Sequence, residues 1–209
     1  MAQESLNVLA AGLIDPPEDF RGRFSSLPAI EQEFQLIDQA GVANQQMLNQ
    51  AFTSESLSSK VNAERFNVVH LATHGTFSSR AEETYILAAD GPINVVQLDG
   101  LLRDRSQSET QAIELLILSA CQTAEGDDRA ALGLAGVAVK AGARSTLASL
   151  WQADDQATAL VMGDFYQQIT EGKLTKAEAL RQSQLKLLRS ESRYYPGLWA
   201  PFILVGNWL

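Results

Sequence analysis

The sequence predicts an α/β fold in which a mainly parallel central sheet is covered by helices on both faces. Three observations predict it. Short apolar runs alternate along the chain with segments of helical periodicity. Most of those runs are predominantly apolar, as expected of strands buried on both faces. No linker, repeat or shift in composition divides the chain, so residues 1–209 read as a single domain.

Residues 6–11 are apolar and end at Gly12, ahead of Pro16-Pro17, which marks a first core strand. A polar loop over 20–26 carries Arg21 and Arg23. Pro28 then opens a helix in which Ile30, Phe34 and Ile37 recur at three- and four-residue spacing, stopping before Gly41. Residues 45–52 suit either a second strand or an irregular passage, and Thr53 caps a short helix through Leu57. Residues 66–72 form the clearest buried strand and run straight into Thr73-His74-Gly75. Residues 85–89 and 93–98 read as two strands about the turn Asp90-Gly91-Pro92. After the polar stretch 103–110, the buried strand 113–118 delivers Ser119-Ala120-Cys121. Residues 130–141 are small and apolar, with Gly133 and Gly136, and suit a helix lying close on a sheet until Gly142 ends it. A strand at 145–150 follows. Asp154 or Asp155 caps a helix reaching about Ile169, residues 175–188 form another helix, and 202–205 form the last strand.

Composition narrows the function. The 25 Asp and Glu against 16 Lys and Arg give a formal charge of -9, and no basic cluster interleaved with aromatics offsets it. Direct binding to nucleic acid is therefore not expected. No apolar run approaches the roughly 20 residues needed to span a bilayer, so no membrane partner is expected. One cysteine rules out an internal disulfide. With no basic segment ahead of an apolar one at the N-terminus, a reducing cytoplasm is the expected compartment.

Reactive groups in such a sheet gather beyond the carboxyl ends of its strands. Two apolar strands end in useful chemistry: His74-Gly75 after one, Cys121 after the other. A cysteine attacks as the thiolate, and a neighbouring imidazole both lowers its pKa and protonates a leaving amine. The backbone N–H groups of Gly75 and Cys121 are candidate oxyanion donors, with Gly75 leaving room for a substrate carbonyl. The plainer alternatives remain open. A lone cysteine behind an apolar strand is commonly a small buried hydrophobe. His70 and His74, four residues apart, also suit a metal, although no Glu holds the metalloprotease position and His70 falls inside the apolar strand.

The runs His70-Leu71-Ala72-Thr73-His74-Gly75 and Leu118-Ser119-Ala120-Cys121-Gln122-Thr123-Ala124 closely resemble the signatures of CHAT domains. These are caspase-like modules, related to caspases and separase and often attached to tetratricopeptide repeats in bacteria. The resemblance continues through Ala131-Leu132-Gly133-Leu134-Ala135, Gly142-Ala143-Arg144-Ser145 and Ser149-Leu150-Trp151 with Asp154-Asp155. It extends to Lys176-Ala177-Glu178-Ala179-Leu180 and Trp199-Ala200-Pro201-Phe202. It implies a caspase-like three-layer sandwich and peptide-bond hydrolysis, with Cys121 as nucleophile, His74 as acid and base, and no cofactor. It also implies a regulatory tetratricopeptide-repeat domain elsewhere in the native chain, of which these residues would be the C-terminal part.

The acidic pair Asp154-Asp155, just beyond Trp151, suits a basic substrate side chain, while capping the next helix is the plainer role for one of the two. A protein or peptide cut after Arg or Lys is thus the expected substrate. The competing class is a latent or silent signalling module that binds a protein partner. A serine hydrolase lacks its G-x-S-x-G elbow here, and no nucleotide-binding P-loop is present.

Overall fold

The computed structural model describes residues 6–78, 80, 83–103, 113–119, 121–123, 142–190 and 195–209, with the backbone alone at 43, 103 and 121–123. Its frame is a six-stranded sheet. Strand β1 (Asn7–Gly12) lies between β2 (Ala43–Leu48) and β3 (Val68–Ala72). Beyond β3 come β7 (Leu115–Leu118), β9 (Ser145–Ser149) and β10 (Phe202–Gly206). All neighbours are parallel except β9 and β10. The mainly parallel sheet expected from strands alternating with helices is therefore present, with an antiparallel strand added at one edge.

The pleat sends alternate residues to opposite faces. Val8, Ala10, Val68, Ala72, Leu115, Ile117 and Leu147 pack on one side, against α1 (Ile30–Gln39), α4 (Asp155–Thr170) and α5 (Lys176–Leu188). Leu9, Ala11, Val69, Leu71, Leu116 and Leu118 pack on the other, against α2 (Ser54–Ala63) and α3 (Val95–Arg103). The result is a three-layer α/β/α sandwich. Helix α1 buries the predicted stripe of Ile30, Phe34 and Ile37, and also Glu33. Helix α4 lies so close to α1 that a Cβ placed on Gly163 would come within 2.6 Å of the Leu36 Cβ.

Beside the main sheet sits a smaller one, ordered β6-β5-β4-β8: β4 (Gly75–Phe77), β5 (Tyr85–Ala88), β6 (Gly91–Asn94) and β8 (Cys121–Thr123). The sequence announces only its β5–β6 hairpin, expected about the turn at 90–92. Strands of three residues carry no readable period, and the β4–β8 pairing joins segments far apart in the chain.

Two further expectations are corrected. Residues 93–98 are not one strand: β6 ends at Asn94 and α3 begins at Val95. Asn94 and Gln97 exchange side-chain-to-backbone hydrogen bonds of 2.9 Å, a reciprocal helix cap. The signal was present as Asn-x-x-Gln ahead of Val95, Leu98 and Leu102, which are buried at helical spacing. Helix α2 runs past Leu57 to Ala63, because Val61 repeats the buried face one turn on. Thr53 caps it as expected, paired with Ser56. Residues 45–52 resolve into the end of β2 and a short 3-10 turn, Asn49–Ala51. A single turn, α6 (Pro196–Trp199), precedes β10. The expected helix at 130–141 and the polar stretch 104–110 lie outside the described residues.

Candidate active site

His74 is delivered by β3 through Thr73, whose hydroxyl donates to the Leu87 carbonyl at 2.6 Å and ties the turn to β5. The turn then continues into β4. In the small sheet β4 pairs in parallel with β8, with Gly75 opposite Cys121 and Thr76 opposite Gln122. Neighbouring strands lie about 4.8 Å apart. The backbone of Cys121 is therefore one strand spacing from Gly75 and one residue removed from His74. The two segments singled out in the sequence are brought side by side beyond the ends of β3 and β7, and each continues into a short strand of its own.

Gly75 has a packing reason to be glycine. A Cβ there would lie 3.0 Å from the Tyr85 carbonyl oxygen and 3.2 Å from Ile86 Cγ2. The absent side chain lets β4 close on β5, a reason distinct from the expected approach of a substrate carbonyl.

The imidazole of His74 is held on two sides. Its ring stacks on Phe24, with centroids 4.7 Å apart and planes 25° from parallel. Nε2 lies 2.5 Å from the Ser25 carbonyl oxygen. A carbonyl only accepts, so Nε2 carries the proton and donates it, which leaves the lone pair of the neutral ring on Nδ1. No described residue bonds Nδ1. Burial lowers the pKa of His74 below the ordinary 6.5, and the bond to Ser25 offsets this only in part. A neutral imidazole with a fixed tautomer and an open lone pair is suited to take a proton from a thiol.

Beside His74 a cleft of about 240 Å³ opens, lined by Arg23, Phe24, Ser25, Glu33, His74 and Asp155 among others. The acidic pair of the sequence is divided here. Asp154 caps α4, its Oδ1 accepting from the Ala157 N–H at 2.8 Å. Asp155 lines the cleft, and its Oδ2 accepts from the Ala29 N–H at 2.8 Å, bracing the start of α1. Burial pushes the Asp155 carboxyl up; the Ala29 amide opposes this, and the charges of Glu33 and Asp154 add to it. The Arg23 guanidinium is directed to the small sheet, lying 5.4 Å from the Phe24 centroid and 5.9 Å from that of Tyr85, with a 3.3 Å bond to Thr76 Oγ1.

Glu33 was not visible as a site residue, because on α1 it reads as one charge on an ordinary amphipathic helix. It is 2% exposed. His70, pointing to the same face of β3 as Val68 and Ala72, has Nε2 2.8 Å from Glu33 Oε1 and Nδ1 3.1 Å from the Tyr166 hydroxyl. The Glu33 approach is close but off the ring N–H direction, so neither atom has an aligned hydrogen bond. His70 is thus a core group, hydrogen-bonded through Nδ1, with the Glu33 carboxylate beside Nε2. Among the described residues no cluster suits a metal ion. None of the helices there is long and apolar enough to cross a membrane.

A main parallel sheet between two helical layers, with a histidine and a cysteine segment juxtaposed beyond its edge, defines the class of caspase-like sandwiches. The chain belongs to the CHAT domain family, a caspase-like protease family, whose model matches residues 3–207. Among solved structures it is similar to the Arg-specific cysteine proteinase gingipain R (RGPB), at 10% identity and a TM-score of 0.64. That alignment covers 97% of this chain and 46% of gingipain R, so the chain spans about half the length of that relative. It also aligns with protein GSU0716 from Geobacter sulfurreducens, at 11% identity and a TM-score of 0.49, over 97% of this chain and 94% of the other. No curated protein matches significantly.

Proposed function

We propose that this domain is a cysteine endopeptidase in which Cys121 is the nucleophile and His74 the acid and base. The observation that carries the reading is the parallel register of Gly75 with Cys121, adjacent to a histidine whose tautomer is fixed by Ser25. His74 Nδ1 takes the thiol proton, and the Cys121 sulfur attacks the scissile carbonyl. The Gly75 and Cys121 N–H groups face the developing oxyanion; one such donor lowers a comparable barrier by about 3 kcal/mol. The C–N bond then breaks as His74 returns the proton to the departing amine. Water hydrolyses the thioester and restores the thiol.

Asp155, on the wall of the cleft beside His74, supports cleavage after Arg or Lys. Gingipain R, which shares the fold, is Arg specific, so the scaffold accommodates such a preference. The substrate is a protein or peptide of the cytoplasm that reaches the cleft in extended form, and a tetratricopeptide-repeat domain in the native chain gates access.

One observation favours a second reading, a latent module that signals by binding a protein. His74 is only 8% exposed, roofed by Phe24 and Ser25, so the loop carrying them must shift before a peptide reaches it. A peptidyl electrophile separates the two. Labelling of the wild type that is lost in Cys121→Ala and weakened in His74→Ala supports the protease. No labelling, even with the native flanking domain and its partner present, supports the latent module.

A further inference from the structure

Glu33 is a carboxylate that the proposed chemistry leaves unused, yet it reaches the cleft from within the core. A buried carboxylate is costly unless its oxygens are satisfied. Glu33 has the close but misaligned contact with His70, and its Oε1 has no aligned hydrogen bond. It shares the cleft with Asp155, and the two like charges act on each other. The titratable groups lining that space are Arg23, Glu33, His74 and Asp155. Arg23 is the one formal cation among them, and its guanidinium is taken up by Phe24, Tyr85 and Thr76. Two carboxylates from different elements, converging on a space without a free cation among its described lining, make a receptor for a positive group.

We propose that Glu33 is a specificity-determining residue: with Asp155 it binds the guanidinium or ammonium of a substrate side chain beside His74, while His70 and Tyr166 hold it in place. The assignment rests on the protease reading for the identity of its substrate. The supporting chain runs from the cleft into the sandwich. Glu33 on α1 meets His70 on β3, and His70 meets the Tyr166 hydroxyl on α4 at 3.1 Å, with the two rings stacked 5.8 Å apart. Burial holds the Tyr166 hydroxyl protonated far above its ordinary range, and the Glu33 charge adds to this. A protonated Tyr166 hydroxyl can donate to His70 Nδ1, and in that arrangement the ring proton sits on Nε2, the nitrogen nearest Glu33. His70 and Tyr166 are positioning residues and touch no substrate.

Two measurements on the whole chain test this. Agmatine, a small guanidinium, is titrated by calorimetry into wild type and Glu33→Gln. Separately, the rate of Cys121 labelling by an arginyl chloromethyl ketone is divided by that of its neutral citrulline counterpart. Glu33→Gln should weaken agmatine at least tenfold and lower the labelling ratio by a similar factor, with Glu33→Asp recovering part of both. Tyr166→Phe, which keeps its volume, should lower the ratio about threefold through the ketone's binding constant KI and not through the inactivation rate constant. That variant carries the test if Glu33→Gln does not fold. Agmatine that fails to bind wild type, or equal affinity and ratio in all variants, overturns the assignment while leaving the protease reading intact. Glu33-dependent binding of agmatine without labelling by either ketone sinks the protease reading and keeps the cleft.

Discussion

Gly75 and Cys121 are Cα partners in a parallel ladder, although β4 and β8 are each only three residues long. That pairing, and not the length of either strand, sets the Cys121 backbone beside the turn that carries His74. Because β5 closes the other side of β4, a side chain at position 75 has nowhere to go. Gly75→Ala should therefore push β4 off β5 and disturb the register with Cys121. Thermal melts should show a loss of about 1–3 kcal/mol, and electrophile labelling should fall by more than that destabilisation explains. Wild-type labelling in a folded Gly75→Ala variant would separate the register from the chemistry.

The acid limb of activity follows from His74. Burial holds its folded pKa below 6.5, so the base form persists as pH falls from 7 to 6.5 and is lost only lower down. The rate of Cys121 alkylation against pH should show its acidic inflection below 6.5. Stability carries the same sign. The unfolded chain binds the proton first, so this contribution is complete above about pH 6.5 and is lost as pH drops through the folded value. The His74→Gln variant should show a shallower loss of stability between pH 6.5 and 5 than wild type.

Phe24 is 5% exposed and supplies the apolar face on which His74 stacks. Phe24→Leu keeps the site apolar but opens the ring to water. The His74 imidazole resonances in an NMR titration should then move toward the ordinary value of 6.5. An unchanged pKa would assign the depression to other neighbours.

The acidic pair should separate by mutation as it does in space. Asp154→Ala removes the α4 cap and should cost about 1 kcal/mol with no change in the preference among peptide substrates. Asp155→Asn should lower turnover of arginyl over neutral substrates by an order of magnitude or more. Profiling both variants against one peptide library distinguishes the roles; a specificity change in Asp154→Ala would contradict the division.

The contact of α1 with α4 places Glu33 and Asp155 around one cleft. Gly163→Ala would drive a Cβ into Leu36 and should destabilise the fold by about 1–3 kcal/mol. A melt unchanged from wild type would mean that the helices part at little cost.

The sequence by itself determined the main sheet. Short, predominantly apolar runs at 6–11, 66–72, 113–118 and 145–150, alternating with helices, suit a parallel arrangement covered on both sides, and they became β1, β3, β7 and β9. It also determined the stripe of α1, the cap at Thr53 and the residues to suspect, since a histidine-glycine and a cysteine beyond two such strands are local features. What only the tertiary structure decided is non-local. The second sheet was legible only as its β5–β6 hairpin; the β4–β8 pairing joins strands of three residues that cannot encode it in their own pattern. The two neighbouring aspartates were indistinguishable until α4 began at Asp155 and sent one side chain to its own amides and the other to Ala29. Glu33 became a cleft residue because α1 packs across β3 opposite α4, where His70 and Tyr166 converge. Periodicity reports how one element meets solvent; it carries no information on which buried carboxylate a distant helix will bring beside a histidine.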